Sequence, residues 1–264
     1  MSLAELAERE PDAGPKILTL DLERIPGRVT LDVWHPGDFK RLSYVGPERW
    51  ESLPRTVCAT AKWYGQRAEF IAEWQGDDVG ARMWQLIDEA DVIVTYNGKR
   101  ADLRWLQQDW DVAGLPAPRP FKHVDLFAMN ARWAFERRSL AHLLDRLSLA
   151  NKNGHYNADE ARAAVAGDEK AQKRLKRYNV GDVKVTEALF DRLRHHVKGI
   201  NLGLYYPDCE DVNRCPRCGA ADTLRDAGWY TAEQFRYAMR RCDACGGLAR
   251  SGHIKRRSNV RSVS

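Results

Sequence analysis

The chain of 264 residues lacks any long hydrophobic run. No stretch approaches the roughly 18–20 consecutive apolar residues that a membrane-spanning helix needs. The N-terminal residues MSLAELAEREPDAGP are polar and acidic, and they lack the apolar core of a secretory signal. These two absences predict a soluble intracellular protein that does not contact a membrane.

Cysteine is scarce through most of the chain. Of six cysteines, four form two tight pairs in the last quarter, and the others are Cys58 and Cys209. This distribution does not suit a disulfide framework, because such frameworks spread many cysteines over a small secreted domain. It suits a metal site in a reducing compartment. No internal repeat is visible.

Net charge is also missing from the greater part of the chain. Residues 211–264 contain 11 Lys and Arg against 5 Asp and Glu, a net charge of +6, whereas residues 1–210 contain 31 and 32, a net charge of −1. A small basic module on a near-neutral body suggests a polyanionic partner, most often nucleic acid. The alternative is that the charge only confers solubility.

The order of predicted elements indicates an α/β fold with a second, small module. Three strands come first, and strands then alternate with helices, which favours a mixed sheet flanked by helices. We place a flexible leader at 1–15, the α/β domain at 16–210, a small cysteine-containing module at 211–250 and a basic disordered tail at 251–264.

Local patterns predict the individual elements. We expect strands at 16–23, 91–98 and 123–127, another strand around 29–34, and a hairpin of residues 56–65 and 68–74. We expect helices at 78–89, 99–110, 159–166 and 168–197, and a helical region from the end of the 123–127 strand through residue 147.

Acidic side chains follow the first predicted strand. Asp21 and Glu23 lie two residues apart, so their side chains point to the same face of a strand. Two acids that point together repel each other and are tolerated mainly beside cations. The alternative is an ordinary solvated strand end.

Two further acids occur in settings that bring them near such a site. Asp102 lies in the first or second turn of the predicted helix that follows the turn at Asn97, and strand-to-helix turns line the functional crevice of open α/β sheets. Asp102 could instead only complement the helix dipole. Asp182 follows Tyr178 by four residues, which places both on one face of a helix.

The ordered motifs Asp-x-Glu at 21–23, Asn-x-x-x-x-Asp at 97–102 and Tyr-x-x-x-Asp at 178–182 resemble a known family. They resemble the three motifs of the DEDD (DnaQ-like) 3′–5′ exonucleases, tyrosine subclass, which have a ribonuclease H-like fold. The same subclass includes the proofreading domains of family B DNA polymerases. VCATAKWYG and ADVIVTYNGK also look like small phage-type members that end in a zinc ribbon. The sequence departs from the family at Ala101, where Phe or Tyr is usual, and no polymerase domain follows.

The resemblance implies a catalytic centre with two Mg²⁺ or Mn²⁺ ions. Asp21 would bridge the ions, Glu23 and Asp182 would complete one site, Asp102 would support the other, and Tyr178 would orient the attacking water. Hard cations of this kind take oxygen ligands. Asp125, at the end of a short strand, could lie near the site or cap the next helix.

The paired cysteines indicate a structural zinc ribbon. Their pattern is C-x₂-C, a 23-residue spacer and C-x₂-C, and they are Cys215, Cys218, Cys242 and Cys245. Four thiolates complete a tetrahedron around one Zn²⁺, so we expect no catalysis there. Cys58 and Cys209 are not expected to be ligands. The predicted nucleic-acid contacts are Asn97, Lys99, Arg214, Arg217, Arg240 and Arg241.

The sequence-based hypothesis is a metal-dependent 3′–5′ exonuclease that degrades single-stranded or frayed DNA in the cytoplasm of a bacterial cell or phage-infected host. One alternative is an RNA 3′ exonuclease or trimming enzyme. Another is a catalytically silent nucleic-acid-binding adaptor, and a third is a ribbon protein that recruits a protein partner. The oligomeric state and the substrate preference stay open at this stage.

Overall fold

The computed structural model describes residues 14–35, 37, 44–130, 133–149 and 154–258. Its contacts divide the chain into two compact units. The larger unit spans Leu18–Glu187. The smaller one contains, of the described part of the chain, residues 14–17 and 188–258.

The strands are β1 (Ile17–Ile25), β2 (Arg28–Val29), β3 (Trp50–Ser52), β4 (Arg55–Trp63), β5 (Ala68–Ala72), β6 (Val92–Thr95), β7 (Lys122–Asp125), β8 (Leu224–Thr231), β9 (Phe235–Cys242), β10 (Leu248–Arg250) and β11 (Arg256–Arg257). The α-helices are α1 (Val79–Glu89), α2 (Asp102–Ala113), α3 (Leu126–Asn130), α4 (Leu140–Arg146), α5 (Ala158–Val165) and α6 (Glu169–Leu193).

The larger unit is built on a five-stranded mixed sheet in the order β5-β4-β1-β6-β7. β4 pairs antiparallel with both β1 and β5, and β6 pairs parallel with β7. The predicted α/β class with a mixed sheet is therefore confirmed. β1 lies at the centre of the sheet, which explains why its sequence is almost continuously apolar before the acids.

Helices cover both faces of this sheet. On one face, Leu20 and Ile71 of the sheet belong to the same buried cluster as Met83 of α1 and Leu106 of α2. On the other face, Val57 and Ala72 pack with helix residues that include Leu175 of α6. Asp21 and Glu23 alternate with the leucines of β1, so they point to the second face, where α6 lies.

Several predicted elements differ from the structure. The expected strand around 29–34 is only β2, and Trp34 is 95% exposed, so this segment offers no apolar face to a sheet. The helix expected from residue 99 begins at Asp102, because Asn97 has a φ of 71° and the chain turns before the helix starts. The helical region expected through 147 contains α3 and α4 with a non-helical stretch over residues 133–139. The late helix ends at Leu193 and continues as a short 3-10 turn over 194–196.

The smaller unit contains a four-stranded antiparallel sheet centred on β9. β8 pairs with β9 along its length, and β10 and β11 pair with opposite ends of the same strand. The expectation of a disordered tail is wrong for residues 251–258, because Arg256 and Arg257 pair with Arg236 and Phe235 of β9. Residues 259–264 lie outside the described part.

Within the described residues, no helix combines the length and the apolar character required to cross a lipid bilayer.

Candidate active site and metal centre

The first acidic pair lies near the end of the central strand. Asp21 is opposite Thr60, and Glu23 is opposite Cys58, in the β1–β4 pairing. The register shifts between Glu23 and Arg24, so regular pairing is interrupted directly after the acids. Glu23 is only 6% exposed, which means that its carboxylate is held largely away from water.

An asparagine of α6 binds both members of this pair. The Nδ2 atom of Asn179 donates a hydrogen bond to Asp21 Oδ2 at 2.8 Å and to the main-chain oxygen of Asp21 at 3.3 Å. It also donates to Glu23 Oε1 at 3.5 Å. Asn179 is fully buried, and its amide places a donor between two like-charged groups. Sequence reasoning missed this residue, although it lies next to Tyr178.

The side chain of Asp102, at the start of α2, contacts the same end of β1. Its Oδ1 atom accepts a hydrogen bond at 3.1 Å from the main-chain N–H of Leu22, the residue between the two acids. Its pKa is raised to about 6, mainly because the carboxyl is buried. The main-chain N–H groups of Asp102 and Leu22 oppose this shift, and the charge of Asp125 adds to it.

Asp125 holds the turn that leads to Asp102. Its carboxylate accepts hydrogen bonds from the main-chain N–H groups of Asn97 at 2.8 Å and Lys99 at 3.1 Å. It also accepts from Phe127 at 3.0 Å at the start of α3. Both sequence interpretations of Asp125 therefore apply, because it caps a helix and its charge acts on Asp102. The predicted side-chain contacts of Asn97 and Lys99 with nucleic acid stay predictions.

Tyr178 and Asp182 lie one turn apart on α6, and the Tyr178 hydroxyl and the Asp182 carboxylate share a hydrogen bond. The pKa of Tyr178 is raised well above its ordinary value, first by burial and then by the charges of Asp182, Glu23 and Asp21. The charges of three of the four predicted acids therefore affect the pKa of this phenol. Asp182 is 4% exposed, so it is buried as deeply as Glu23 and Asp102.

Two ion pairs outside the cluster hold the elements that carry it. Arg24 of β1 donates to Asp109 of α2 at 3.1 Å, and the Thr56 hydroxyl donates to the same carboxylate oxygen at 2.7 Å. Lys62 of β4 pairs with Glu187 of α6 at 2.5 Å, and both side chains are largely buried. These contacts connect the sheet to the two helices that supply Asp102 and Asp182.

The donor set fits hard divalent cations. Three of the carboxylates are buried, and carboxylate oxygens are the ligands that Mg²⁺ and Mn²⁺ prefer. The neighbouring Cys58 is also buried, and its thiol pKa is raised by burial and by the charges of Glu23 and Asp21. Cys58 is therefore a buried strand residue, as predicted, and its raised pKa keeps the thiol protonated at neutral pH. No three acidic side chains among the described residues bring their oxygens within 4.8 Å of one another.

The four cysteines of the smaller unit form a much tighter cluster. Their sulfur atoms all lie within 4.8 Å of one another, and the Cys215–Cys245 and Cys218–Cys242 pairs are 3.8 Å apart. A tetrahedron with Zn–S bonds of about 2.3 Å has S···S distances of about 3.8 Å, so the cluster could hold a zinc ion.

The arginines predicted to bind nucleic acid differ in their surroundings. Arg214 is bound within its own unit: Nε and Nη2 donate to Asp208 at 2.6 Å, Nη1 donates to Gly219, and the guanidinium lies 4.0 Å from the centre of the Tyr206 ring. These contacts use three of the five guanidinium N–H groups, and the assignment of Arg214 as a phosphate contact stays a prediction.

Arg217, Arg240 and Arg241 also remain as predicted contacts. Arg217 is half-buried, with its stem against Gly247, and burial lowers the pKa of its guanidinium. Arg240 and Arg241 are exposed. Each still has a contact within the unit: Arg241 donates to the main-chain oxygen of Gly246 at 3.1 Å, and Arg240 lies 3.9 Å from the Asp226 carboxylate.

Comparison with known proteins agrees with this fold. A model of the RNase H superfamily matches residues 52–194, more than half of the chain. The chain belongs to the RNase H superfamily. The match includes Asp102, Tyr178 and Asp182 and begins after β1. No curated protein matches the chain.

Solved structures also resemble this RNase H superfamily member. One is the family B DNA polymerase from the hyperthermophilic archaeon Pyrobaculum calidifontis, with a TM-score of 0.51 and 18% sequence identity. The match covers 69% of this chain and 25% of the polymerase, so the aligned region is about a quarter of the polymerase's length. At this identity the likeness shows the fold.

Replacement of Asn179 by Asp tests the role of the buried amide. The new carboxylate would stand between Asp21 and Glu23 and remove their shared donor, so we expect a loss of about 3 kcal/mol in the free energy of unfolding at neutral pH. Added Mn²⁺ should offset part of the loss. Urea denaturation with and without Mn²⁺ measures both effects.

The matched control is Asn157→Asp. Asn157 caps α5 through its side-chain oxygen, and Asp is an equally good cap there, so this variant should unfold like the wild type. Equal urea midpoints for Asn179→Asp and Asn157→Asp would show that the amide does not stabilise the acidic pair.

The cysteine cluster predicts about one Zn²⁺ per purified chain. Cys218→Ser and Cys245→Ser should lower the zinc content strongly, because each removes one of four thiolates. Cys209→Ser is the control within the same unit and should keep full zinc content. Elemental analysis of protein prepared without chelator measures this, and an absence of zinc in the wild type would contradict the assignment.

Proposed function

We propose that this RNase H superfamily member is a 3′–5′ exonuclease that uses two divalent metal ions to hydrolyse single-stranded or frayed DNA. The observation that carries the proposal is the hydrogen bonding of Asp21, Glu23 and Asp102 at the end of one buried strand. The hydroxyl of Tyr178, which shares a hydrogen bond with Asp182, is affected by the charges of Asp21 and Glu23. Membership of the superfamily supports nuclease activity as the general class of function.

The four carboxylates are the proposed metal ligands. Divalent cations held by these residues would stabilise the attacking and leaving oxygens of a phosphodiester and would lower the pKa of bound water. Asp102 supports this role because its raised pKa shows a carboxylate in a site that disfavours its charge. A cation would relieve that cost and deprotonate the group fully at neutral pH.

Asn179 has a positioning role in this proposal. Its amide holds the Asp21 and Glu23 side chains in one arrangement, with hydrogen bonds that an amide can donate but a carboxylate cannot. The ligands are then preorganised, so less free energy is spent on ordering them when metal and substrate bind.

Tyr178 is assigned to position the attacking water. Its raised pKa keeps the phenol protonated at neutral pH, so it does not act as the base that removes the proton from water. A protonated hydroxyl can both donate and accept a hydrogen bond, and it can therefore orient a water molecule near the acids.

The direction of degradation and the preference for DNA rest on the resemblance of the three motifs to DEDD exonucleases. The basic excess of residues 211–264 supports a nucleic-acid substrate, because a charge of +6 on this module favours phosphate binding. Retention of all four acids and Tyr178 argues against a catalytically silent adaptor.

The test is the digestion of 5′-labelled single-stranded DNA with Mg²⁺ or Mn²⁺. The wild type should shorten the strand from its 3′ end and give a ladder of labelled products. Asp182→Asn and Asp102→Asn should lower the rate at least about 100-fold, because each removes a metal ligand while keeping a similar shape.

Asp111→Asn is the control variant for this test. Asp111 lies on α2, like Asp102, but it is exposed and bonded only to Gln107 among the described contacts, so its rate should equal the wild type. Digestion of a labelled RNA strand in parallel distinguishes a DNA exonuclease from an RNA exonuclease. The assignment would be contradicted if Asp182→Asn cleaved the strand at the wild-type rate. It would also be contradicted if the wild type released the 5′ label first.

A further inference from the structure

One surface of the sheet in the smaller unit combines aromatic rings with arginines. We call it the aromatic face and define it by Tyr230, Phe235, Tyr237, Arg250 and Arg257. These residues come from all four strands, β8 to β11. None of them belongs to the zinc cluster or to the arginines predicted from the sequence to bind nucleic acid.

The strand register places these side chains on one side of the sheet. Tyr230 is directly opposite Tyr237, and Arg257 is directly opposite Phe235. Arg250 is opposite Met239, which has the same strand parity as Phe235 and Tyr237. The ring centres of Tyr230 and Tyr237 are 6.2 Å apart, and those of Phe235 and Tyr237 are 6.3 Å apart. The three rings are therefore adjacent, with Tyr237 buried between the exposed Tyr230 and the half-buried Phe235.

The arginines lie over these rings. The guanidinium of Arg250 is 3.9 Å from the centre of the Tyr237 ring, and that of Arg257 is 5.9 Å from the Phe235 ring. Both arginines are exposed, and neither has an acidic partner among the described residues. Tyr230 is 47% exposed, so its ring is open to an incoming ligand.

Acidic side chains are absent from this face in the four described strands. The one acid in those strands, Asp226, is opposite Arg240, whose parity places it on the other side of the sheet. Within these four strands, the exposed Tyr230 ring therefore shares its face with two guanidinium groups and no acidic side chain. This combination fits a ligand that offers both flat rings and negative charge.

We propose that the aromatic face binds single-stranded nucleic acid. Bases stack on Tyr230 and on the planes of the arginines, and phosphates pair with Arg250 and Arg257. Single strands are favoured over duplexes because their bases are free to stack on aromatic rings. This inference rests on the proposed function only in treating the bound strand as the substrate. Its prediction about binding is tested separately.

The opposite side of the same sheet provides an internal comparison. Trp229 is 50% exposed, and Arg236 lies over its ring at 4.6 Å. Trp229 is opposite Ala238, so it points away from the aromatic face. It is a large exposed aromatic residue on the same strand as Tyr230. The two residues differ in the side of the sheet that they occupy.

Binding of a fluorescein-labelled oligothymidylate to the full chain tests the proposal, measured by fluorescence anisotropy in the Asp182→Asn background without added Mg²⁺ or Mn²⁺. Tyr230→Ala should weaken binding at least about fivefold, because stacking on one aromatic ring is lost. Tyr230→Phe should bind like its parent, since stacking does not need the hydroxyl. Trp229→Ala should change the affinity less than twofold.

The arginines predict a separate change in salt dependence. The double variant Arg250→Gln, Arg257→Gln should make the plot of log affinity against log salt concentration shallower by about 1.4, because two fewer counterions are displaced from a single strand. Zinc content should stay at the parent level in every variant, which excludes unfolding of the unit as the cause of weaker binding.

The outcomes separate this inference from the proposed function. If Tyr230→Ala binds like its parent, or Trp229→Ala weakens binding as strongly, the aromatic face is not the binding surface. Cleavage by the wild type would then still support the exonuclease. If binding depends on Tyr230 and the two arginines while the wild type cleaves no strand, the inference holds and the proposed function fails.

Discussion

The repulsion between like-charged carboxylates at the end of β1 is the constraint on which the larger unit depends. Two unit charges 4 Å apart repel by about 4 kcal/mol at an effective dielectric constant of about 20. Asp21 and Glu23 point to the same side of one strand, and two further acids lie next to them. A fold keeps such a cluster only where the charge is compensated and the surrounding structure holds the side chains in place.

The structure around the acids meets part of this requirement with uncharged hydrogen-bond donors. Asn179 donates to both members of the acidic pair, and the main-chain N–H of Leu22 donates to Asp102. The Arg24–Asp109 and Lys62–Glu187 pairs hold the helices without placing a cation among the acids. These contacts leave part of the negative charge uncompensated, and in the proposed chemistry divalent ions would supply the rest.

Much of this site follows from local sequence patterns. The spacing of Asp21 and Glu23, and the four-residue step from Tyr178 to Asp182, have the same consequence in any strand or helix. Asn179 was missed in this way and Asp125 was left with two interpretations, because their roles depend on which elements pack together. The same holds for Arg214: its sequence context suggests a phosphate contact, and only the fold brings Asp208 and Tyr206 against it. The aromatic face needs the register of four strands, which single-residue patterns do not contain.

The central claim is that the acids around β1 hold two divalent cations. The most direct measurement is the number of Mn²⁺ ions bound per chain, determined from the electron paramagnetic resonance of free Mn²⁺ in the presence of deoxythymidine monophosphate, with zinc left in the cysteine cluster. The account predicts about two ions in the wild type, and one or none in Asp21→Asn, because Asp21 is assigned to both ions. Equal numbers in the two proteins, or no binding to the wild type, would contradict it.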